Sequence, residues 1–152
     1  MASVLRQQLA AVKTALHGID GTGSYTYDLS GTDSVAYGIQ LFPDIVPRVQ
    51  IASLSETSTH GIPLGFYERT ASISLFGYVG ADSDEAGSRL LNATDLLNDM
   101  MLAIEADRTL GGLVLDVIFT NTVAMDGLEM DLPTLGLAEV VLQTRYTTKT
   151  GT

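Results

Sequence analysis

The sequence contains no cysteine, few basic residues and no long apolar run. Without cysteine, the chain can form neither a disulfide framework nor a thiolate metal site. No apolar stretch approaches the roughly 20 residues that a membrane-spanning helix needs. The first residues also lack the basic head and apolar core of a signal peptide. We therefore expect an unprocessed cytosolic protein with no membrane partner.

The shortage of basic residues bears on nucleic-acid binding. Eight Lys and Arg stand against 18 Asp and Glu, which gives a net charge of −10 at pH 7. Proteins bind a nucleic-acid backbone by placing Lys and Arg on its phosphates, and here the basic residues are scattered along the chain. The composition argues against nucleic-acid binding, and an acidic surface would repel DNA that passes close by.

The central stretch, residues 82–123, organises the rest of the chain. Asp82 and Glu85 form a variant capping box, which predicts the start of a long helix. The Gly-Gly pair at 111–112 favours a helix C-terminus, and the β-branched run 113–120 after it predicts a strand. The helix would bury one apolar stripe at helical spacing: Leu90, Ala93, Leu96, Leu97, Met100, Met101 and Ile104.

The flanking segments add a second helix and further strands. Ser3 is a suitable N-cap for a helix that ends near His17, with an apolar stripe at Leu5, Leu9, Val12 and Leu16. Residues 30–43 stay ambiguous because glycine and proline interrupt their alternation. Alternating or β-branched residues predict strands over 25–29, 46–54, 69–79 and 138–146.

Two segments are predicted to be projecting loops, namely the polar segment 55–65 and the segment 125–136. The order of elements then predicts an α+β fold. A mixed, mostly antiparallel sheet would carry the N-terminal helix and the long central helix on one face. At 152 residues the chain is most simply one domain over 1–152, long enough to bury roughly 68–70% of the surface that its unfolded form exposes.

No pattern of residues predicts catalysis, a cofactor or a metal. His17 sits at a helix end and His60 in a predicted loop, and neither belongs to a known catalytic motif. The carboxylates at 82, 84 and 85 open a helix, where negative charge is favoured without a metal. A second group, Asp126, Glu129 and Asp131, lacks the spacing of an EF-hand.

Two features predict association surfaces instead. The segment after residue 124 places large apolar side chains among acidic residues where a connecting loop should run over the surface. A loop folded back over its own core is the equally weighted alternative. Leu91 and Leu102 lie eleven residues apart, on the side of the long helix opposite its buried stripe. The predicted interface residues are Leu91, Leu102, Met125, Leu128, Met130, Leu132 and Leu135.

The chain resembles a known family in two segments. Residues 68–79 read ERTASISLFGYV and residues 106–117 read ADRTLGGLVLDV, with an acidic turn and a helix between them. This pattern resembles the tail terminator or tail completion proteins of long-tailed bacteriophages, in which a Leu-Gly-Gly turn links the long helix to a strand. The final strand of the family ends in Tyr or Arg, as at 144–146 here, and the resemblance covers about residues 47–148.

The resemblance implies a structural virion protein of the tail or neck, assembled in the host cytoplasm. Such proteins form a hexameric ring that caps the tail tube, stops its growth and joins it to the neck. The implied partners are copies of the chain itself, the major tail tube protein and a neck or connector protein, with DNA passing through the lumen without specific binding. Open alternatives are a neck protein of similar fold (a stopper, adaptor or head-completion protein), a carboxylate-metal hydrolase and a small host binding module.

Overall fold

The computed structural model describes residues 3–39, 46–62, 66–80, 87–130 and 134–149, with backbone alone at 58–62, 66, 129, 130 and 149. Within these residues, two α-helices and five strands follow one another in the order helix, three strands, helix, two strands. Their bounds are α1 Val4–His17, β1 Val35–Tyr37, β2 Arg48–Ile62, β3 Phe66–Gly80, α2 Ser88–Glu105, β4 Asp116–Asp126 and β5 Leu135–Lys149. A short 3₁₀ helix, Gly127–Met130, follows β4.

The strands form one sheet in the order β1-β2-β3-β5-β4. The short strand β1 runs parallel to β2, and all other neighbours are antiparallel. Both helices pack on one face, whose buried side chains include Ile73, Leu75, Val140 and Leu142. The predicted α+β class, with a mixed and mostly antiparallel sheet, is therefore confirmed.

The N-terminal helix forms as predicted. The hydroxyl of Ser3 accepts a hydrogen bond from the backbone N–H of Arg6 at 3.2 Å, which satisfies one free donor of the first turn. Val12 and Leu16 are fully buried, and Leu5 and Leu9 pack on the same core. The polar residue Gln8 is also fully buried. Its Oε1 accepts a hydrogen bond from the Thr144 hydroxyl at 2.6 Å, and its buried Nε2 has no hydrogen-bond partner among the described residues.

The central helix differs from its prediction at its start. It begins at Ser88, with Gly87 as the N-cap at φ 96°, and the proposed cap residues 82 and 85 lie outside the described residues. Leu96, Met100 and Ile104 are buried as predicted. Leu90 is 42% exposed, so its assignment to the buried stripe is wrong.

Two polar side chains lie on the buried side of α2, where the sequence pattern predicted only apolar residues. Asn92 donates from Nδ2 to the carbonyl of Gly80 at 3.0 Å. The carboxylate of Asp99, fully buried, accepts hydrogen bonds from the backbone N–H groups of Thr26 and Tyr27 at 2.8–3.1 Å. Asn92 and Asp99 therefore lie on the buried side of the helix, whereas Leu90 is exposed.

The turn between α2 and β4 starts earlier than predicted. The helix ends at Glu105, and a chain of turns leads to β4 at Asp116, so residues 113–115 are not strand. Asp107 explains the early end, because its carboxylate accepts from the N–H of Thr109 and of Gly111. Such local side-chain bonds compete with the helical pattern.

The predicted strand at 25–29 is wrong. Only an isolated bridge between Asp20 and Asp28 forms there. The N–H groups of Thr26 and Tyr27 are taken by Asp99, which leaves them no part in a sheet. In the ambiguous stretch 30–43, the described residues form β1 alone.

The predicted loop at 55–65 is wrong for residues 55–62, which continue β2 and include the backbone of His60. They pair with β3, and β3 pairs in turn with β5 as far as Phe66 and Lys149. The segment is polar but rich in Ser and Thr, and threonine suits a strand that has a neighbour to pair with. Residues 63–65 lie outside the described residues.

The predicted loop at 125–136 is shorter than expected. Met125 and Asp126 end β4, Gly127–Met130 is a 3₁₀ helix, and Leu135 begins β5. Residues 131–133 lie outside the described residues. Within the described part of the chain, neither helix is long and apolar enough to cross a membrane.

Candidate assembly surfaces

Large apolar side chains reach solvent where α2 begins. Leu91 is 67% exposed and Leu128 55% exposed. An ion pair between Arg89 and Asp126 brings them to the same end of the molecule, since it joins the first turn of α2 to the last residue of β4. Leu90 adds a third exposed apolar side chain. We call Leu90, Leu91 and Leu128 the apolar end.

The other predicted interface residues differ in position. Leu135 is buried and Met125 partly buried, in a small cluster with Tyr78 and Leu137. Both side chains therefore pack at least partly within the subunit. Leu102 is only partly exposed. The side chain of Met130 and all of Leu132 lie outside the described residues.

The Arg89–Asp126 pair is bidentate. Nε lies 2.6 Å from Oδ1, and the second guanidinium nitrogen lies 3.1 Å from Oδ2. The same carboxylate accepts the N–H of Leu128 at 3.0 Å, which positions the 3₁₀ helix. The hydrogen bond from Arg89 is the main reason that the pKa of Asp126 lies below its usual value.

Asp126 therefore serves a structural purpose that the composition did not suggest. A carboxylate already held by a guanidinium and a backbone N–H is a poor start for a metal site. The side chain of Glu129 and all of Asp131 lie outside the described residues. Among the side chains that the structure does describe, no three of His, Cys, Asp and Glu gather to hold a metal ion.

His17 also has a structural contact. Its Nδ1 lies 2.8 Å from the carbonyl oxygen of Leu29. Because a carbonyl oxygen can only accept, Nδ1 carries the proton and donates. His17 thus ties the end of α1 to the loop that follows it. The side chain of His60 is outside the described residues.

The outer edge of β4 is open. β4 is the last strand of the sheet, and no described strand pairs with its outer side. At its start, the Arg108 guanidinium donates a hydrogen bond to the carbonyl of Val117 at 3.2 Å. Edge strands usually carry lysine, proline or other charges that prevent pairing with another chain. Residues 117–125 of β4 contain no charge and no proline, and a single bulge near Thr120 is their only irregularity.

Part of β2 is open as well. β1 pairs with residues 49–51 of β2 and ends there, so beyond Ile51 no described residue pairs with that side of β2. A groove of about 590 Å³ lies between α1 and this free edge. Its lining is mostly apolar and consists of Arg6, Leu9, Ala10, Tyr37, Ile51, Ala52, Ser53 and Leu54.

The two open edges differ in charge. α1, beside the free edge of β2, carries Arg6 and Lys13 and no acidic residue. Lys13 lies over the ring of Tyr37, 4.9 Å from its centre. On the other side, α2 packs over β4 and exposes Glu105 near its C-terminal end, whereas Asp107 lines the groove between α1 and α2. Arg108, in the turn after α2, is paired with Asp116 at 3.0 Å, and Arg145 is the ladder partner of Asp116.

The sequence patterns could not identify these edges, because the pattern within one strand does not show which other strands pair with it. A usable signal is the uncharged, proline-free run of β4, which is unusual for an edge strand. It becomes informative only after the strand order shows that β4 lies at the edge. The groove has no signal in the sequence, since it combines two elements that are far apart in the chain.

No protein-family model matches the sequence, and a search of curated proteins finds no match. Among solved structures, the chain is similar to a protein in the virion of a native gene transfer agent (GTA) particle. The identity is 11% and the TM-score 0.46, over 96% of this chain and 92% of that one. A likeness at this TM-score does not establish a shared fold.

Proposed function

We propose that the protein is a structural subunit of a phage-type virion, a tail terminator that forms a ring on the end of the tail tube. The observation that carries the proposal is the pair of strand edges, on opposite sides of one sheet, that no described strand covers. A protein that acts as a monomer would be expected to protect such edges. The sequence motifs at 68–79 and 106–117 supply the resemblance to the family.

Two different surfaces on one subunit favour a ring. When the surface of one copy meets a different surface of the next, association is head-to-tail and closes into a ring if the rotation allows. The free edges of β2 and β4 are two such surfaces, and they lie on opposite sides of the subunit. The resemblance implies six copies.

The strand ends would then form the axial faces of the ring. One of these faces contains the apolar end, Leu90, Leu91 and Leu128. The opposite face contains the paired ends of β2, β3 and β5, at Ile62, Phe66 and Lys149. A terminator needs two axial contacts, one with the tail tube protein and one with the neck. We assign the apolar end to one of these contacts.

The charge of the subunit suits a passage for DNA. Acidic residues exceed basic ones by ten, and four of the eight basic residues are held in ion pairs with carboxylates. A wall with surplus negative charge repels the phosphate backbone, so DNA would pass without being retained.

The test is assembly of the purified protein, alone and with tail tubes. Light scattering should give a closed oligomer, and electron microscopy should place one ring at the end of each tube and no further tube growth. Persistent monomers that never cap tubes would overturn the proposal. A ring that binds the neck but not the tube would instead make the protein a neck component.

A matched pair of variants tests the axial face. Leu91→Asp and Leu128→Asp should leave the ring intact but abolish its binding to the tube or to the neck. Thr94→Asp, also exposed on α2, is the control and should bind normally. Full binding by both leucine variants would remove the apolar end from the axial contact.

A further inference from the structure

We infer that neighbouring copies join by strand addition, in which β4 of one copy pairs with residues 52–57 of β2 in the next, beside α1. The inference rests on the proposed ring and names its lateral contact. Both partner surfaces are strand edges without described neighbours, and both are free of proline. Main-chain hydrogen bonds across such edges are a common mode of protein association.

The topology fixes the direction of pairing. β2 is antiparallel to β3, β3 to β5, and β5 to β4, so β4 runs opposite to β2 within one subunit. A rotated copy that keeps its helices on the same side presents its β2 in nearly the original direction. The new pair is therefore antiparallel, the arrangement with the more stable hydrogen-bond geometry.

The side chains at the two edges suit each other. Phe119 of β4 faces the helices, is only partly buried, and packs against the core. In the joined sheet, this face of β4 would continue into the groove lined by Leu9, Ala10 and Leu54. Burying partly exposed apolar surface on both sides would add a hydrophobic contribution to the backbone hydrogen bonds.

Charge selects a second copy turned head-to-tail over other arrangements. The groove side presents Arg6 and Lys13, and α2, which packs over β4, exposes Glu105 near its C-terminal end. Pairing β4 with β4 across a two-fold axis would bring no cation to Glu105. Head-to-tail pairing brings Glu105 toward the cations beside the groove, so it is favoured and should weaken as salt screens the attraction.

One blocking variant is available for each edge. Ala10→Glu places a charged side chain in the groove beside α1, at an exposed helical position. Ile118→Lys combined with Thr122→Lys places lysines on both faces of β4, at exposed positions. Relative to the wild type, each blocking variant should need a roughly thirtyfold higher concentration, or more, for half of the subunits to associate. This is the size of effect expected when a central contact of an interface is lost.

Matched controls change charge away from the edges. Thr14→Glu lies one turn along α1 and faces the other groove, toward Ala103. Gln143→Lys combined with Ser72→Lys lies on the bare face of the sheet, in β5 and β3. Both controls should form rings like the wild type, and thermal unfolding should show that all four variants are folded.

Mixing the two blocked variants is the deciding experiment. Each retains the edge that the other has lost, so equal amounts should form a heterodimer and nothing longer, as measured by light scattering. In the heterodimer, hydrogen exchange should be slower at the amides of residues 116–126 in one copy and of residues 52–57 in the other. Self-dimers of Ala10→Glu with no heterodimer would show β4–β4 pairing and overturn the inference.

Failure of the inference and of the proposed function remain distinguishable. Rings that form normally with both blocked variants would overturn strand addition and leave the ring standing. Hydrogen exchange would then locate the true contact, for example through slower exchange at the amides of residues 87–91 and 127–130 in the ring. A wild type that stays monomeric at every concentration, with and without tail tubes, would overturn both.

Discussion

The two faces of the sheet differ in what they contact. On the covered face, residues such as Ile73 and Leu142 are fully buried beneath α1 and α2. On the bare face, Ser72, Ser74 and Gln143 are partly exposed and small or polar. One end of this face is closed by a small buried cluster that includes Tyr78. The stability of the subunit therefore depends mainly on the covered face, while the polar part of the bare face and the strand edges are available for contacts with other subunits.

Gly136→Ala is the largest expected disruption of the covered face. A Cβ at this position would collide with the backbone carbonyl oxygen of Arg89, so α2 would have to move away from β5. We expect a loss of about 3 kcal/mol or more in the free energy of unfolding, measured by urea denaturation.

Gly77→Ala is the matched control on the same face. There a Cβ would meet Leu96 Cδ2 at 2.8 Å and Met100 Sδ at 2.9 Å, both at the far ends of flexible side chains. These can rotate, so the cost should be smaller, about 1 kcal/mol. Equal costs for the two glycines would contradict the rigid packing of α2 on β5.

Asp99→Ala should have the next largest effect. The change removes the acceptor for the backbone N–H groups of Thr26 and Tyr27, at a position with no solvent exposure. We expect a loss of about 2–3 kcal/mol, with faster hydrogen exchange at these two amides. Asp99→Asn keeps one acceptor oxygen and should cost less, and an Asn variant as unstable as Ala would argue against these bonds.

A threonine pair compares the two faces directly. Thr144 on the covered face donates to Gln8 Oε1, whereas Thr70 lies one ladder position away on the bare face. Thr144→Val should cost about 1–2 kcal/mol because a buried hydrogen bond is lost. Thr70→Val should change stability by less than about 0.5 kcal/mol. Denaturation of both variants side by side measures the contrast.

The smallest expected effect is on the stability of the subunit at acidic pH. The pKa of Asp126 is lowered first by the hydrogen bond from Arg89 and then by that from the Leu128 N–H. A lowered folded pKa gives stability that is present above the unfolded value of 3.8 and is lost as pH falls through the folded value. Asp126→Asn should therefore be less stable than the wild type at neutral pH, and the gap should narrow as the pH falls below 3.8. A gap independent of pH would contradict the ion pair.

Elements with strong local periodicity were predictable. The capping residue and apolar stripe of α1 specify that helix by themselves, and the alternation in β3 and β5 specifies both strands and the face each residue takes. The α+β class followed from the order of these elements. The buried polar residues Gln8, Asn92 and Asp99 were not predictable, because their partners lie far away in the chain.

The predicted interface shows the same division. Exposure of Leu91 follows from its place on the helix, opposite the buried stripe. Met125 and Leu135 looked similar in sequence, yet they pack with Tyr78 and Leu137 across neighbouring strands. Only the register of β3, β4 and β5 brings those residues together, and no local pattern contains that register.

By itself, the sequence determined that the two helices and the inner strands form, and it set the negative charge, because periodicity, capping and composition act over a few residues or over the whole chain at once. The tertiary structure decided which strands became edges, where the groove beside α1 lies, and which polar groups are buried. Those properties depend on pairing between distant segments, and a strand has the same local pattern whether or not a neighbour covers its edge.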